Sequence, residues 1–217
     1  MISRETPVFN ARQRMDGRKL LRALPEGRAA LAFVDPQYRA IMDRQKYGNE
    51  GERQKARAAL PQMTDEDIAA IVEEVERVLR PSGHLALWVD KYSLASAHYH
   101  RWFMRTGLTI VDLICWNKGR IGMGRRARCK SEYLVMIQKP PTRAQDVWTD
   151  RGIPDCWDEP KDLAKHPHAK PIALTTRLVE AVTRPGDLVV DPCAGGYGVL
   201  DACLLTGREF VGCDLAF

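Results

Sequence analysis

The 217-residue sequence predicts an α/β fold organised on a mostly parallel sheet. Two short, wholly apolar runs carry that prediction. Ala29 to Val34 stops at Asp35-Pro36 and Leu188 to Val190 stops at Asp191-Pro192, as buried parallel strands do where they reach the edge of a sheet. A third observation is the order strand, glycine-rich turn, helix, strand, acid over 188–214, the unit that opens many nucleotide-binding sheets.

The elements follow in order. After the first strand, 39–62 is crowded with charges of both signs and carries Gly48 and Gly51, which predicts a mobile loop. Thr64 is a candidate N-cap with Asp65, Glu66 and Asp67 in the first turn, and Ile68, Ile71, Val72, Val75, Val78 and Leu79 share one helical face. That helix is expected to end at the turn Arg80-Pro81-Ser82-Gly83. His84 to Val89 is the next strand, Tyr92 to Arg105 a second helix, and Leu108 to Trp116 a further strand. Ser131 to Gln138 returns antiparallel across a basic loop. Pro171 to Val182 has helical spacing, Arg184 to Asp187 is a turn, and Val199 to Leu205 and Glu209 to Cys213 complete the last helix and strand.

One domain, 1–217, is the expectation for a chain of this length with 45% apolar residues. No apolar run approaches bilayer-spanning length and the N-terminus has no secretory pattern, which predicts a cytoplasmic protein without a membrane partner. Six cysteines without a Cys-x-x-Cys pair indicate reduced thiols, with no metal site and no disulfide framework. The net charge of +5 excludes little by itself. Its distribution is more informative, because 118–130 contains Lys118, Arg120, Arg125, Arg126, Arg128 and Lys130, three glycines and no acid. Alone, such a stretch is either a solvated surface or a phosphate-contacting loop.

Two constellations carry chemistry. Glycines after a buried strand let backbone approach a ligand, and Asp214 at the tip of the next strand can accept from a ribose diol; an ordinary tight turn with a surface acid fits the same pattern. Asp35, Pro36, Gln37 and Tyr38 stand at a strand end, where a carboxylate and a proline-fixed carbonyl can accept hydrogen bonds from an amino group and an aromatic ring can stack on a base. The alternative is that Asp-Pro only ends the strand.

The order Asp35-Pro36-Gln37-Tyr38, then His166 to Pro171, then Pro185 to Gly195, then Gly212-Cys213-Asp214 resembles the beta-class amino-methyltransferases that act on DNA. In that family the catalytic Asp-Pro-Pro-Tyr motif precedes the cofactor motif, a circularly permuted order. Val78 to His84, Trp116 to Lys118 and Glu132 to Leu134 also look like its intermediate blocks, so the resemblance covers nearly the whole chain. It implies the S-adenosylmethionine-dependent, Rossmann-like methyltransferase fold: seven mostly parallel strands with one antiparallel. Asp191, Cys193, Ala194, Gly195, Gly196 and Tyr197 would line S-adenosylmethionine, Asp214 would bind its ribose, Asp16 its adenine, and Lys170 its amino-acid end. Asp35, Pro36, Gln37 and Tyr38 would form the catalytic tetrapeptide, and the 118–130 loop would contact duplex DNA. Gln37 replaces the family's second proline, and Tyr197-Gly198 replace its usual Gly-Thr.

The implied reaction is transfer of a methyl group to N6 of a flipped-out adenine. An N4-cytosine enzyme and a decayed nucleic-acid-binding module are the alternatives. Cytosine enzymes of the family more often carry Ser at the position of Asp35, which favours adenine. A homodimer and a restriction endonuclease partner are both compatible with the sequence. His166 and His168 read as a turn, and Trp148 and Trp157 as packing residues.

Overall fold

A computed structural model describes residues 6–37, 62–122, 126–162 and 169–215. The elements are α1 (Gly17–Ala23), β1 (Ala29–Val34), α2 (Asp65–Val78), β2 (Leu79–Val89), α3 (Lys91–Ala95), a 3-10 turn (His98–Trp102), β3 (Thr109–Asn117), β4 (Ser131–Gln138), β5 (Cys156–Asp158), α4 (Ile172–Val182), β6 (Leu188–Asp191), α5 (Gly198–Thr206) and β7 (Glu209–Gly212).

The strands form a seven-stranded sheet in the order β5-β3-β4-β2-β1-β6-β7. β1 pairs parallel with both β2 and β6, β6 with β7, and β3 with β5, while β4 runs antiparallel to both neighbours. The expected sheet with one antiparallel strand is therefore present. From β1 the chain winds to one side through α2 and β2, and from β6 to the other through α5 and β7. The order reverses between β1 and β6, where open α/β sheets bind ligands at their strand tips.

Each face of the sheet carries its own core. Leu20, Leu21, Ile68, Ile71, Val72, Val75, Val78 and Trp102 pack on one face. Leu174, Leu178, Val182, Tyr197, Leu200, Cys203 and Phe210 pack on the other, joined by partly buried Trp148 and Trp157 as expected. α2 starts with a reciprocal cap: the Asp67 N–H donates to Thr64 Oγ1 at 3.1 Å and the Thr64 N–H to Asp67 Oδ2 at 3.1 Å. Burial pushes the thiols of Cys203 and Cys213 up to about 12, so both are inert packing groups.

Four elements depart from expectation. α1 has no sequence signal of its own; seven residues are too few to show a period, and the helix is held by Asp16 at the N-terminus and by the Arg77 guanidinium on the Leu21 and Leu24 carbonyls at 2.7 and 3.0 Å. The turn at 80–83 lies inside β2 as a bulge: Ala29 pairs with Leu79 but Leu31 with His84, and Ser82 takes a φ of 60°. The helix expected over 92–105 breaks at Ala97. Asp65 of α2 accepts from Trp102 Nε1 at 2.8 Å and pairs with His98 Nε2 at 3.0 Å, so tertiary bonds override helical spacing. β5, three residues long, lies within what the sequence shows only as a connection.

Candidate active site

The tips of β1, β2 and β6 frame one cavity, lined among others by Phe33, Asp35, Trp88, Lys170, Asp191 and Gly195. Asp35 follows β1 directly and Asp191 ends β6, so the two acids stand at the point where the strand order reverses. The remaining lining comes from Ala169, Ile172, Thr175, Cys193, Ala194, Gly196, Gly198, Val199 and Asp201. The wall is thus part apolar and part strongly charged.

Lys170 is the centre of the charged part. Its Nζ lies 3.0 Å from Asp35 Oδ2, 2.8 Å from Glu132 Oε2 and 4.8 Å from the centre of the Trp88 ring. The other oxygen of Glu132, Oε1, takes Lys118 Nζ at 3.0 Å. Burial works against the charge on Lys170, but Asp35 and Glu132 outweigh it and raise its pKa above the usual lysine value. Burial likewise opposes the charge on Glu132, and Lys170 and Lys118 together hold its carboxyl well below the ordinary range. The Asp35 carboxyl moves upward: desolvation and the charge of Glu132 exceed the pull of Lys170.

Asp191 differs from these. It is only 5% exposed, and Oδ1 accepts from the Cys193 N–H at 3.0 Å. Desolvation, with Asp35 and Asp214 adding repulsion, pushes its carboxyl up to about 8. Gly195 has a φ of 47°, and its N–H donates to Asp214 Oδ2 at 3.1 Å, so the acid at the end of β7 fixes the turn after β6. Gly212 has no room for a side chain: a Cβ there would run into Phe210 Cζ and stand 2.6 Å from the Asp191 carbonyl.

Residues singled out from the sequence divide by whether they reach this cavity. Asp35, Lys170, Asp191, Cys193, Ala194, Gly195 and Gly196 meet in the cavity, with Asp214 behind the turn. Asp16 and Tyr197 do not line it. Asp16 Oδ1 accepts from the Arg18 and Lys19 N–H groups at 2.9 and 3.2 Å and starts α1, whose Gly17 packs against the Pro192 carbonyl. The Tyr197 ring is buried against Phe210; its hydroxyl donates to the Gln13 carbonyl at 2.8 Å and accepts the Gln13 N–H at 3.1 Å, tying the N-terminal segment to the turn.

In the tetrapeptide, Pro36 is buried and Gln37 exposed, while Tyr38 lies outside the described residues, as do Arg125, His166 and His168. The Met63 N–H donates to the Gln37 carbonyl at 2.8 Å, which restrains the backbone where the family has a second proline. Around the basic loop, Arg120, Arg126, Arg128 and Lys130 are exposed, whereas the Lys118 side chain is only 16% exposed and turned to Glu132. Phe33, Trp88 and Glu132 have no role that the sequence alone assigns. Trp88 could be found as the aromatic at a strand tip, but nothing in the spacing links Glu132 to Lys170, 38 residues away.

The N6_N4_Mtase family model, described as DNA methylase, matches residues 29–216. The Type II methyltransferase M.HhaII of Haemophilus parahaemolyticus is 48% identical over 210 residues, 96% of this chain and 92% of that protein. Among solved structures, the M1.HpyAVI complex with SAM is 18% identical with a TM-score of 0.64, covering 94% of this chain and 92% of its own. The PvuII DNA methyltransferase, cytosine-N4-specific, is 15% identical with a TM-score of 0.72, covering 97% of this chain and 83% of its own. A match of this extent, on a cavity that joins the tetrapeptide strand to the glycine-turn strand, makes the chain a DNA methyltransferase of the N6/N4 family.

Proposed function

We propose that this protein transfers a methyl group from S-adenosylmethionine to N6 of an adenine flipped out of duplex DNA. The observation that carries the reading is the shared cavity in which Asp35 and Asp191 stand at neighbouring strand tips with Lys170 between the tetrapeptide and the glycine turn. Its donor set fits the amino-acid end of that cofactor. A buried acid whose pKa is about 8 is complementary to an ammonium group, Lys170 to a carboxylate, and Phe33, Ile172 and Val199 to an apolar chain. Asp214 and the backbone of 194–196 would hold the nucleoside side of the site.

When bound, S-adenosylmethionine supplies an electrophilic methyl group on a sulfonium. The protein's part is to present the amine. The lone pair of an exocyclic amino nitrogen is delocalised into the ring, and hydrogen bonds from its protons to the Asp35 carboxylate and the Pro36 carbonyl favour a more tetrahedral, nucleophilic nitrogen. Proline fixes φ at Pro36, and the Met63 to Gln37 bond restrains the next peptide, so the two acceptors keep a constant spacing. Tyr38 is assigned to stack on the flipped base. Arg120, Arg126, Arg128 and Lys130 are assigned to the phosphates, in a loop whose base, Lys118 to Lys130, is closed by a backbone hydrogen bond of 2.9 Å.

Adenine is favoured by the aspartate at position 35, since the fold itself is shared with a cytosine-N4 enzyme. The likeness to the Type II methyltransferase M.HhaII supports a modification role of the type II kind. The test is direct: incubate the protein with mixed-sequence duplex and labelled S-adenosylmethionine, digest to nucleosides and identify the product by mass. N6-methyladenine is expected; N4-methylcytosine as the labelled product would replace adenine by cytosine in the same mechanism.

A further inference from the structure

We propose that Glu132 and Lys118 are positioning residues for the methyl-transfer step, forming with Lys170 and Asp35 an alternating chain of charges that holds the Lys170 ammonium in place and sets how strongly Asp35 accepts from the target amine. This rests on the assignment of Asp35 to the target amine. Neither Glu132 nor Lys118 lines the cavity, and the members of the chain come from four different parts of the fold: Asp35 after β1, Lys170 before α4, Glu132 on β4 and Lys118 at the end of β3.

The geometry supports it link by link. Each oxygen of Glu132 takes one lysine, Oε1 with Lys118 at 3.0 Å and Oε2 with Lys170 at 2.8 Å, and the Glu132 backbone is itself fixed in the β3–β4 ladder opposite Trp116. Lys170 spans from Glu132 Oε2 to Asp35 Oδ2 and rests on the Trp88 ring. Two positive and two negative side chains make the set neutral, which lets four partly buried charges stand together without an unpaired ion.

The consequence concerns Asp35. A lone Lys170 would pair one-to-one with Asp35 and neutralise the carboxylate that the amine needs. With Glu132 on its far side, the ammonium is shared between two anions and approaches Asp35 at Oδ2, and the other oxygen, Oδ1, is the one assigned to accept from the amine. Lys118 is therefore reassigned from phosphate contact to the anchoring of Glu132. It leaves Arg120, Arg126, Arg128 and Lys130 as the exposed cations of the loop among the described residues.

Signs of charge provide a test that a merely structural role would not pass. Among the described residues, the charged groups acting on Asp35 include Lys170, Glu132 and Lys161, with Asp191 facing it across the cavity. Removing the anion by Glu132→Gln leaves Lys170 to Asp35 alone and favours its ionised form, moving the acid limb of kcat to lower pH. Removing the cation by Lys118→Met strengthens the push of Glu132 and moves that limb to higher pH. Each shift is expected to be about half a unit to one unit, with kcat in Glu132→Gln reduced at least about tenfold for a transition-state interaction of about 1.4 kcal/mol.

The experiment uses the full chain, mixed-sequence duplex and labelled S-adenosylmethionine, with single-turnover rates at saturation from about pH 5 to 9 and the Kd for S-adenosylmethionine and for DNA measured alongside. Opposite shifts of the limb in the two variants, with the Kd for DNA within about threefold of the parent, support the proposal. Shifts in one direction, no shift in either, or an unchanged kcat in Glu132→Gln overturn it. If Glu132→Gln does not fold, the Lys118→Met limb alone decides, because only an upward shift is compatible. Asp35→Ala serves as the separating control: loss of turnover there, with Glu132 and Lys118 variants indifferent, sinks this proposal alone, whereas turnover by Asp35→Ala removes the role of Asp35 itself.

Discussion

Binding of S-adenosylmethionine should release protons, with Asp191 as the expected source. In the ligand-free protein its carboxyl, desolvated and facing Asp35 and Asp214, has a pKa of about 8, so at pH 7 about nine molecules in ten carry it protonated. An ammonium docked against it favours the carboxylate and lowers that value by about two units. The difference in protonation at pH 7 is then about 0.8 proton per ligand, and the association constant gains about a hundredfold between the acid and alkaline plateaus of a window from about pH 6 to 8. Calorimetric titration in buffers of different ionisation enthalpy reads the number directly as the slope of observed against buffer enthalpy. Asp191→Asn isolates the ligand's own titration, and its slope should fall by about 0.8 proton relative to the parent. Stability without ligand has the opposite dependence. Because the folded-state value lies above the unfolded one, the native state holds a proton that the unfolded chain has lost between about pH 4 and 8, so stability falls as pH rises through that window, by up to about 1.4 kcal/mol per unit. Asp191→Asn should flatten that fall. Equal proton release by parent and variant would refute the reasoning, since Asp191 would then not be the group that the cofactor ionises.

Two further outcomes are expected. Replacing Arg120, Arg126 and Arg128 by Gln should weaken DNA binding at low salt and reduce the slope of log K against log salt by about 0.9 for each phosphate no longer neutralised; an unchanged slope in a filter or anisotropy titration would make the loop an ordinary solvated surface. Gly212→Ala should destabilise the fold by about 1–3 kcal/mol, because the added Cβ meets the Phe210 ring and the Asp191 carbonyl at once; a chemical-denaturation midpoint equal to the parent's would show that the β6 and β7 tips can yield without cost.

Much of the molecule is legible in the sequence because its signals are local. The apolar runs ending at Asp35 and Asp191 contain their own evidence of burial, and the capping residues of α2 lie within three positions of one another. The ordered motifs likewise carry the family, the single antiparallel strand and part of the cavity lining, namely Asp35, Lys170, Asp191 and 193–196. Other features depend on partners distant in the chain. The helix expected over 92–105 gives way at Ala97 because Asp65, on another element, binds His98 and Trp102. Tyr197, placed in the cofactor turn by its position, is held under that turn by Gln13, 184 residues earlier. Lys118 reads as one more cation of a basic loop until β3 and β4 pair and set it against Glu132. Strand periodicity and motif order are properties of neighbouring residues and survive in one dimension. The charge chain from Lys118 to Asp35 exists only after β1, β3, β4 and the segment before α4 converge, since an ion pair depends on distance in space and four separate stretches of sequence supply its members.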